Sequence, residues 1–303
     1  MKSKVINKDN GSNLLIENEF GFAQQKQLNN LTIIEINHQH CTAQLSLQGG
    51  QVLAWQRQGE PAVFWLSKTA KFKANNAIRG GIPLCWPWFG GLFVNGQNLG
   101  NHGFARENVW QLSKLTFVAT GVEVVLTFTG ENKHSHWPYP FLLEQTLYFS
   151  RQFSQQLMIT NLSSQTFTHT MALHNYFSVS SPQNITINHL LTANFDDKIT
   201  QKHVSNSADK MLNFINPVDR IYHSDSKVSL HDHAWQRIIT IEKENSQQWV
   251  LWNPTDKIAQ TMADIHQGGA QEFICLEVAN TEPQSLAPDE KFYIKQTITV
   301  KNY

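Results

Sequence analysis

The segment Gly121-Val122-Glu123-Val124-Val125-Leu126-Thr127-Phe128-Thr129 decides the fold class. Val122, Val124, Leu126 and Phe128 alternate with Glu123, Val125, Thr127 and Thr129. A period of two puts each set on one face of a strand. The same period runs through Phe292, Ile294, Ile298 and Val300, against Tyr293, Lys295, Thr297 and Thr299. It returns in Ala43, Leu45 and Leu47, against Thr42, Gln44 and Ser46. Further short strands are expected at Leu143–Phe149, Gln156–Asn161, Ile185–His189, Arg237–Lys243 and Gln248–Trp252. Clusters of Gly, Asn, Pro and Ser separate them. No long stretch has a 3.6-residue period. Many short strands and few helices predict an all-β chain, a sandwich or a barrel.

The chain has 303 residues. A single domain over 1–303 is the economical reading, because all-β sandwiches commonly reach this size. The polar stretch Asn194–Asp225 reads as a loop-rich excursion, and the first 25 or so residues as a loosely packed arm. Lys plus Arg equals Asp plus Glu at 24 each. That balance argues against a nucleic-acid partner, which needs a basic surface, but a few arginines can still hold one phosphate. Cys41, Cys85 and Cys275 lie far apart and form no framework, which fits a reducing compartment. No apolar leader and no membrane-length apolar run is present, so a cytoplasmic protein without a membrane partner is expected. The 9 Trp, 18 Phe and 13 His suit a large core or rings stacked on a sugar; composition does not choose.

Chemistry-bearing residues concentrate in a few segments. Arg79-Gly80-Gly81-Ile82-Pro83-Leu84-Cys85-Trp86-Pro87-Trp88-Phe89-Gly90-Gly91 is too rich in Gly and Pro for a regular element. It reads either as an anionic-sugar platform or as a rigid loop packed on its own rings. Asn101-His102-Gly103-Phe104-Ala105-Arg106 adds a second Arg beside a small-residue turn. By itself that segment reads as a turn with a surface arginine, but two such loops close in sequence suggest a shared anion site. His174 lies in the apolar run Met171–Phe177, where a core histidine and an acid for neutral pH are both open. In Phe273-Ile274-Cys275-Leu276-Glu277-Val278-Ala279, a strand puts Phe273, Cys275, Glu277 and Ala279 on one face. Neither face reads as solvated, so Glu277 must find a partner or face a cavity. Three His-x-His pairs, His38/His40, His134/His136 and His231/His233, lack a completing ligand at short spacing and read as surface histidines. No P-loop, Rossmann fingerprint or Gly-x-Ser-x-Gly elbow occurs.

Taken in order, several segments resemble the hexose-6-phosphate mutarotases (glucose-6-phosphate 1-epimerases) of the aldose 1-epimerase superfamily. They are Arg79–Pro87, His102–Arg106, Ala172–Phe177, Val218-Asp219-Arg220-Ile221-Tyr222, Trp252-Asn253-Pro254 and Cys275–Ala279. The resemblance spans about Leu31 to Val300. It implies a galactose-mutarotase-like antiparallel β-sandwich with few short helices and with no metal or organic cofactor. Carried over by motif, His174 resembles the general acid and Glu277 the general base. Arg79, Asn101, His102, Arg106 and Asp219 resemble substrate-binding residues. Asn101 stands where the family often has Gln, which shortens its amide's reach, and Trp88 where relatives vary. The implied partner is a small sugar phosphate, bound by a monomer. Alternatives are a non-catalytic sugar-phosphate-binding module, a metal-dependent enzyme using a His-x-His pair, and an epimerase of unphosphorylated aldoses.

Overall fold

The computed structural model describes residues 12–190, 192–205 and 214–303. A five-stranded meander, Ser12–Asn18, Gly21–Leu28, Leu31–His38, Cys41–Ser46 and Gln51–Arg57, follows chain order. One large sheet runs Ile185–Asn188, Val228–Asp232, Arg237–Glu244, Lys291–Asn302, Phe153–Asn161, Phe141–Phe149, Gly121–Gly130, Gln111–Val118. The other runs Lys202–Val204, Phe195–Asp197, Val218–His223, Gln248–Asn253, Phe273–Leu286, Phe167–Leu173, Leu84–Cys85, and Tyr176–Ser178 also pairs with Phe273–Leu286. All of these strand pairings are antiparallel. Thr255–Ala259 is the one α-helix among the described residues, and no helix there is long and apolar enough to cross a membrane.

The alternating patterns do what they predict. Val122, Val124, Leu126 and Phe128 are buried, and so are Ile294, Ile298 and Val300. They meet Leu173, Leu251, Ile274, Leu276 and Val278 of the second large sheet in one apolar cluster, so the two sheets form a sandwich. The five shorter predicted strands fall on observed ones, with ends that differ by up to three residues. The expected N-terminal arm is, from Ser12 onward, two strands of the meander, the first largely exposed; residues 1–11 lie outside the described residues. Among its described residues, the expected loop excursion holds three strands, Phe195–Asp197, Lys202–Val204 and Val218–His223.

Polar side chains also cross the core. Gln145, Gln155, Gln296 and Asn175 are fully buried. Gln145 Nε2 donates to Gly50 O (2.6 Å), and Gln155 Nε2 to Gln145 Oε1 (2.6 Å). Gln296 Nε2 donates to Gln155 Oε1 and Asn175 Oδ1, both at 2.8 Å. Asn175 Nδ2 donates to Gln296 Oε1 (2.8 Å) and to Leu276 O (3.0 Å). Each amide finds partners, so this chain can stay in an apolar interior.

Candidate active site

The strand Phe273–Leu286 divides its side chains as its sequence predicts. Ile274, Leu276 and Val278 enter the core between the sheets. Phe273, Cys275 and Ala279 pack on the opposite face, the face that also carries Glu277. Leu173 pairs with Val278 and Tyr176 with Cys275. That register sets His174 opposite Glu277 and Asn175 opposite Leu276. Main-chain and side-chain bonds between Asn175 and Leu276 hold the alignment. The result is a contact of 3.4 Å between His174 Nε2 and Glu277 Oε1. His174 is 7% exposed and Glu277 1%. Glu277 Oε2 has no hydrogen-bond partner, although it is buried.

The glycine-rich loop is strung along the same strand edge. His174 N donates to Pro83 O (3.0 Å) and Tyr176 N to Gly81 O (2.9 Å). Gly81 has φ +62, and a Cβ there would lie 2.1 Å from Val52 O, so only glycine fits. Beyond the hairpin Gly91–Val94/Gln97–Asn101, the chain returns at His102. Its N–H donates to Gly90 O (2.7 Å), while Gly90 N donates to His102 Nδ1 (3.3 Å). Gly103, φ +67, lies so close to Trp86 O that a Cβ would be 1.9 Å away. This docking brings His102 to 5.9 Å, ring to ring, from His174.

The charged residues separate into two settings. Arg79 Nε bonds Asp264 Oδ2 (3.1 Å) and Nη1 donates to Tyr176 OH (2.9 Å). The Tyr176 ring stacks on His174, with centroids 4.8 Å apart and 6° between planes. Arg106 Nη2 donates to Asn101 O (2.9 Å), and its Nε is buried without a partner. Asn101 is exposed and its side chain accepts from Asn98 Nδ2 (3.1 Å), so it serves the site through its carbonyl. Asp219 acts electrostatically on Glu277. The structure therefore brings His174, Glu277, His102, Arg79, Arg106 and Asp219 to one region and leaves the Asn101 amide in the hairpin.

Burial dominates the proton affinities. It drives Glu277 well above the usual carboxylate range; Asp219 adds to this and Arg106 opposes it. It drives His174 well below an ordinary imidazole, helped by His102, Arg106 and Arg79. His102 falls to about 3, through burial and then Arg106 and Arg79. A neutral His102 whose Nδ1 accepts from Gly90 carries its proton on Nε2. Burial also raises Asp219. Tyr176, and then Asp264, strengthen the hold of Arg79 on its proton.

Sequence reasoning did not single out Tyr176, Trp252, whose ring meets that of His174 edge-on with centroids 6.3 Å apart, or Asp264. The first two stood in motifs already read, Tyr176 two positions from His174. Asp264 sits in an irregular loop that carries no pattern, and only the fold joins it to Arg79. Of the His-x-His pairs, His38 is a correction: it is fully buried and its Nε2 lies 3.0 Å from Val118 O. The three cysteines are free and buried.

The sandwich thus carries, on one sheet face, a buried histidine–carboxylate pair with two arginines near it. Residues 32–299 match the aldose 1-epimerase family, and the chain belongs to it. It is 33% identical to a Salmonella typhimurium protein named "Putative glucose-6-phosphate 1-epimerase", over 91% of this chain and 92% of that one. An Escherichia coli K12 protein of the same name is 32% identical at the same coverage. The crystal structure of a Salmonella typhimurium "putative mutarotase (YeaD)" superposes with a TM-score of 0.86 at 30% identity, covering 93% of this chain and 94% of that chain.

Proposed function

We propose that this enzyme interconverts the α and β anomers of a hexose 6-phosphate, glucose 6-phosphate first, with His174 and Glu277 as the acid–base pair and no cofactor in the reaction. The observation that carries the reading is the 3.4 Å approach of two buried titratable side chains from distant parts of the chain, His174 in the link between two strands and Glu277 within a third. Glu277 takes the proton of the C1 hydroxyl while His174 protonates the ring oxygen. The O–H electrons become the carbonyl, the C1–O5 bond breaks, and the open aldehyde forms. Rotation about C1–C2 presents the other carbonyl face. Reclosure returns both protons and gives the other anomer.

The pair carries the same number of protons as imidazolium with carboxylate or as imidazole with carboxylic acid. Burial favours the second arrangement; Arg106 opposes it at Glu277, where it favours the carboxylate, and supports it at His174, where it disfavours the imidazolium. Opposed influences of this kind suit a pair that must exchange acid and base roles within one turnover. His102 Nε2–H is a donor and Asp219 an acceptor for sugar hydroxyls, and Arg106 and Arg79 supply the positive charge that an anionic substrate requires. The names of the Salmonella and Escherichia relatives support the phosphorylated substrate.

The test is α-to-β conversion of glucose 6-phosphate and of glucose, side by side, with EDTA present. Faster conversion of the phosphorylated sugar supports the reading. Equal rates on both sugars would remove the phosphate from it, and a rate lost to chelation and restored by one metal would remove the cofactor-free mechanism.

A further inference from the structure

The row of residues that includes Glu277 continues across the sheet. Glu277, Val250, Ile221 and Asp196 lie opposite one another on successive strands, and His174 faces Glu277 from the link between Leu173 and Tyr176. At its far end, Asp196 pairs with His203 on the edge strand Lys202–Val204. His223, two residues beyond Ile221, points to the same face. His203 Nδ1 is 2.8 Å from Asp196 Oδ1, and His223 Nε2 is 2.8 Å from Asp196 Oδ2. One donor atom from each residue lies within 4.8 Å of the others. We propose that Asp196, His203 and His223 form a binding site for a divalent transition-metal ion of the zinc class, separate from the acid–base pair.

Two imidazole nitrogens and a carboxylate oxygen are a donor set that suits Zn²⁺. Ligands about 2.0–2.2 Å from a tetrahedral ion stand roughly 3.4 Å apart, so rotations of these solvent-facing side chains close the set. A second observation concerns the other ring nitrogen of His223. Its Nδ1 lies 3.9 Å from Glu282 Oε1. That is beyond hydrogen-bond reach, but a small movement of the exposed Glu282 side chain lets it accept from this nitrogen, as carboxylates that orient metal-bound histidines do. Among the described residues, none of the three His-x-His pairs belongs to such a group of three. Asp196 and Glu277 are three strand spacings apart, about 14 Å at about 4.8 Å each. The ion therefore does not touch the reacting carbon, and the proposal stands independently of the reaction above.

The experiment uses the full chain without a histidine tag, stripped with EDTA, dialysed and titrated with zinc sulfate by calorimetry, with elemental analysis after equilibrium dialysis. Wild type is expected to bind one equivalent. His203→Ala combined with His223→Ala should lose it, and His231→Ala combined with His233→Ala should keep it. Unchanged thermal unfolding of the first double variant shows that the fold is intact. Asp196→Asn, a milder change, should weaken binding about tenfold or more. An equivalent retained by His203→Ala/His223→Ala, or no uptake by wild type at millimolar zinc, overturns the site.

Discussion

Two histidine–carboxylate groups stand on one face of one sheet, at opposite ends of one row, and differ chiefly in their access to water. His174 and Glu277 are enclosed, and the Glu277 carboxylate keeps an oxygen without a partner. Asp196, His203 and His223 lie at the sheet edge, and both Asp196 oxygens accept from imidazoles. Burial raises the proton affinity of Glu277, whereas the imidazoles lower that of Asp196. Identical functional groups are thus tuned in opposite directions by solvent and hydrogen bonding. In the proposed reaction the first is the pair that exchanges protons, and the second is an anion between two imidazoles.

The largest effect should come from removing titratable groups at the buried end. Glu277→Gln and His174→Asn should each lower kcat by about 100-fold or more, the range of general acid–base catalysis, with substrate affinity changed only several-fold. Asp196→Asn should leave kcat unchanged. The double variant at the buried pair should be far less than additively impaired, because the two act as a unit. Normal turnover by Glu277→Gln would erase the distinction between the two ends.

Next in size is the anion contact. Arg79→Ala and Arg106→Ala should reduce kcat/KM for hexose 6-phosphate by roughly one to two decades, since a charge-assisted hydrogen bond contributes about 1.5–3 kcal/mol. Free hexose should be affected much less. The two arginines can be told apart. Arg79 is engaged by Asp264 and Tyr176, so its loss should also disturb the ring stacked on His174. Arg106 uses one nitrogen on Asn101 O, so its loss should register mainly as a higher KM. Equal losses on both sugars would assign the arginines to the sugar ring or the loops.

The buried amides serve as a control in which polar groups are enclosed but satisfied. Gln296→Leu strands Asn175 and Gln155, and should cost about 1–3 kcal/mol in denaturant unfolding, as orphaned buried polar groups do. No loss of stability would mean that the amide chain has repacked.

The smallest effect is a difference in sign. The folded protein holds a proton on Glu277 that the unfolded chain releases above its ordinary value of 4.5. The carboxylate therefore destabilises increasingly as pH rises past that value, and Glu277→Gln should gain in Tm relative to wild type over the same range. Asp196 is shifted downward from 3.8. Its contribution is present above that pH and lost below it, so Asp196→Asn should fall slightly behind wild type at neutral pH and rejoin it in acid. Thermal scans from pH 2 to pH 8 check both, and parallel trends would break the comparison.

Much of this was legible because strands report their faces. Val122 to Thr129 disclosed a half-buried strand, and Phe273 to Ala279 disclosed that Glu277 shares a face with Cys275. Gln296 interrupts the apolar alternation of its strand because an amide network, invisible in a single segment, takes the place of packing. His174 against Glu277 is a matter of register between segments about a hundred residues apart. Motif resemblance pointed to the pair, and periodicity did not. Asp264 and the Asp196 grouping depended on pairings that no local pattern encodes. His38 misled because a His-x-His spacing fits an exposed edge as well as a buried end where one ring bonds a neighbouring carbonyl.

The clasp at His102 bears on how this molecule can change over time. Its main-chain N–H and its ring fasten Gly90 from both sides, so Gly91 to Asn101 leaves and returns through a closed ring of contacts. Residues within that excursion, including the exposed Phe93, can be lengthened, shortened or exchanged without moving His102. Selection, or an engineer, can therefore rewrite the hairpin while His102, and His174 next to it, keep their places.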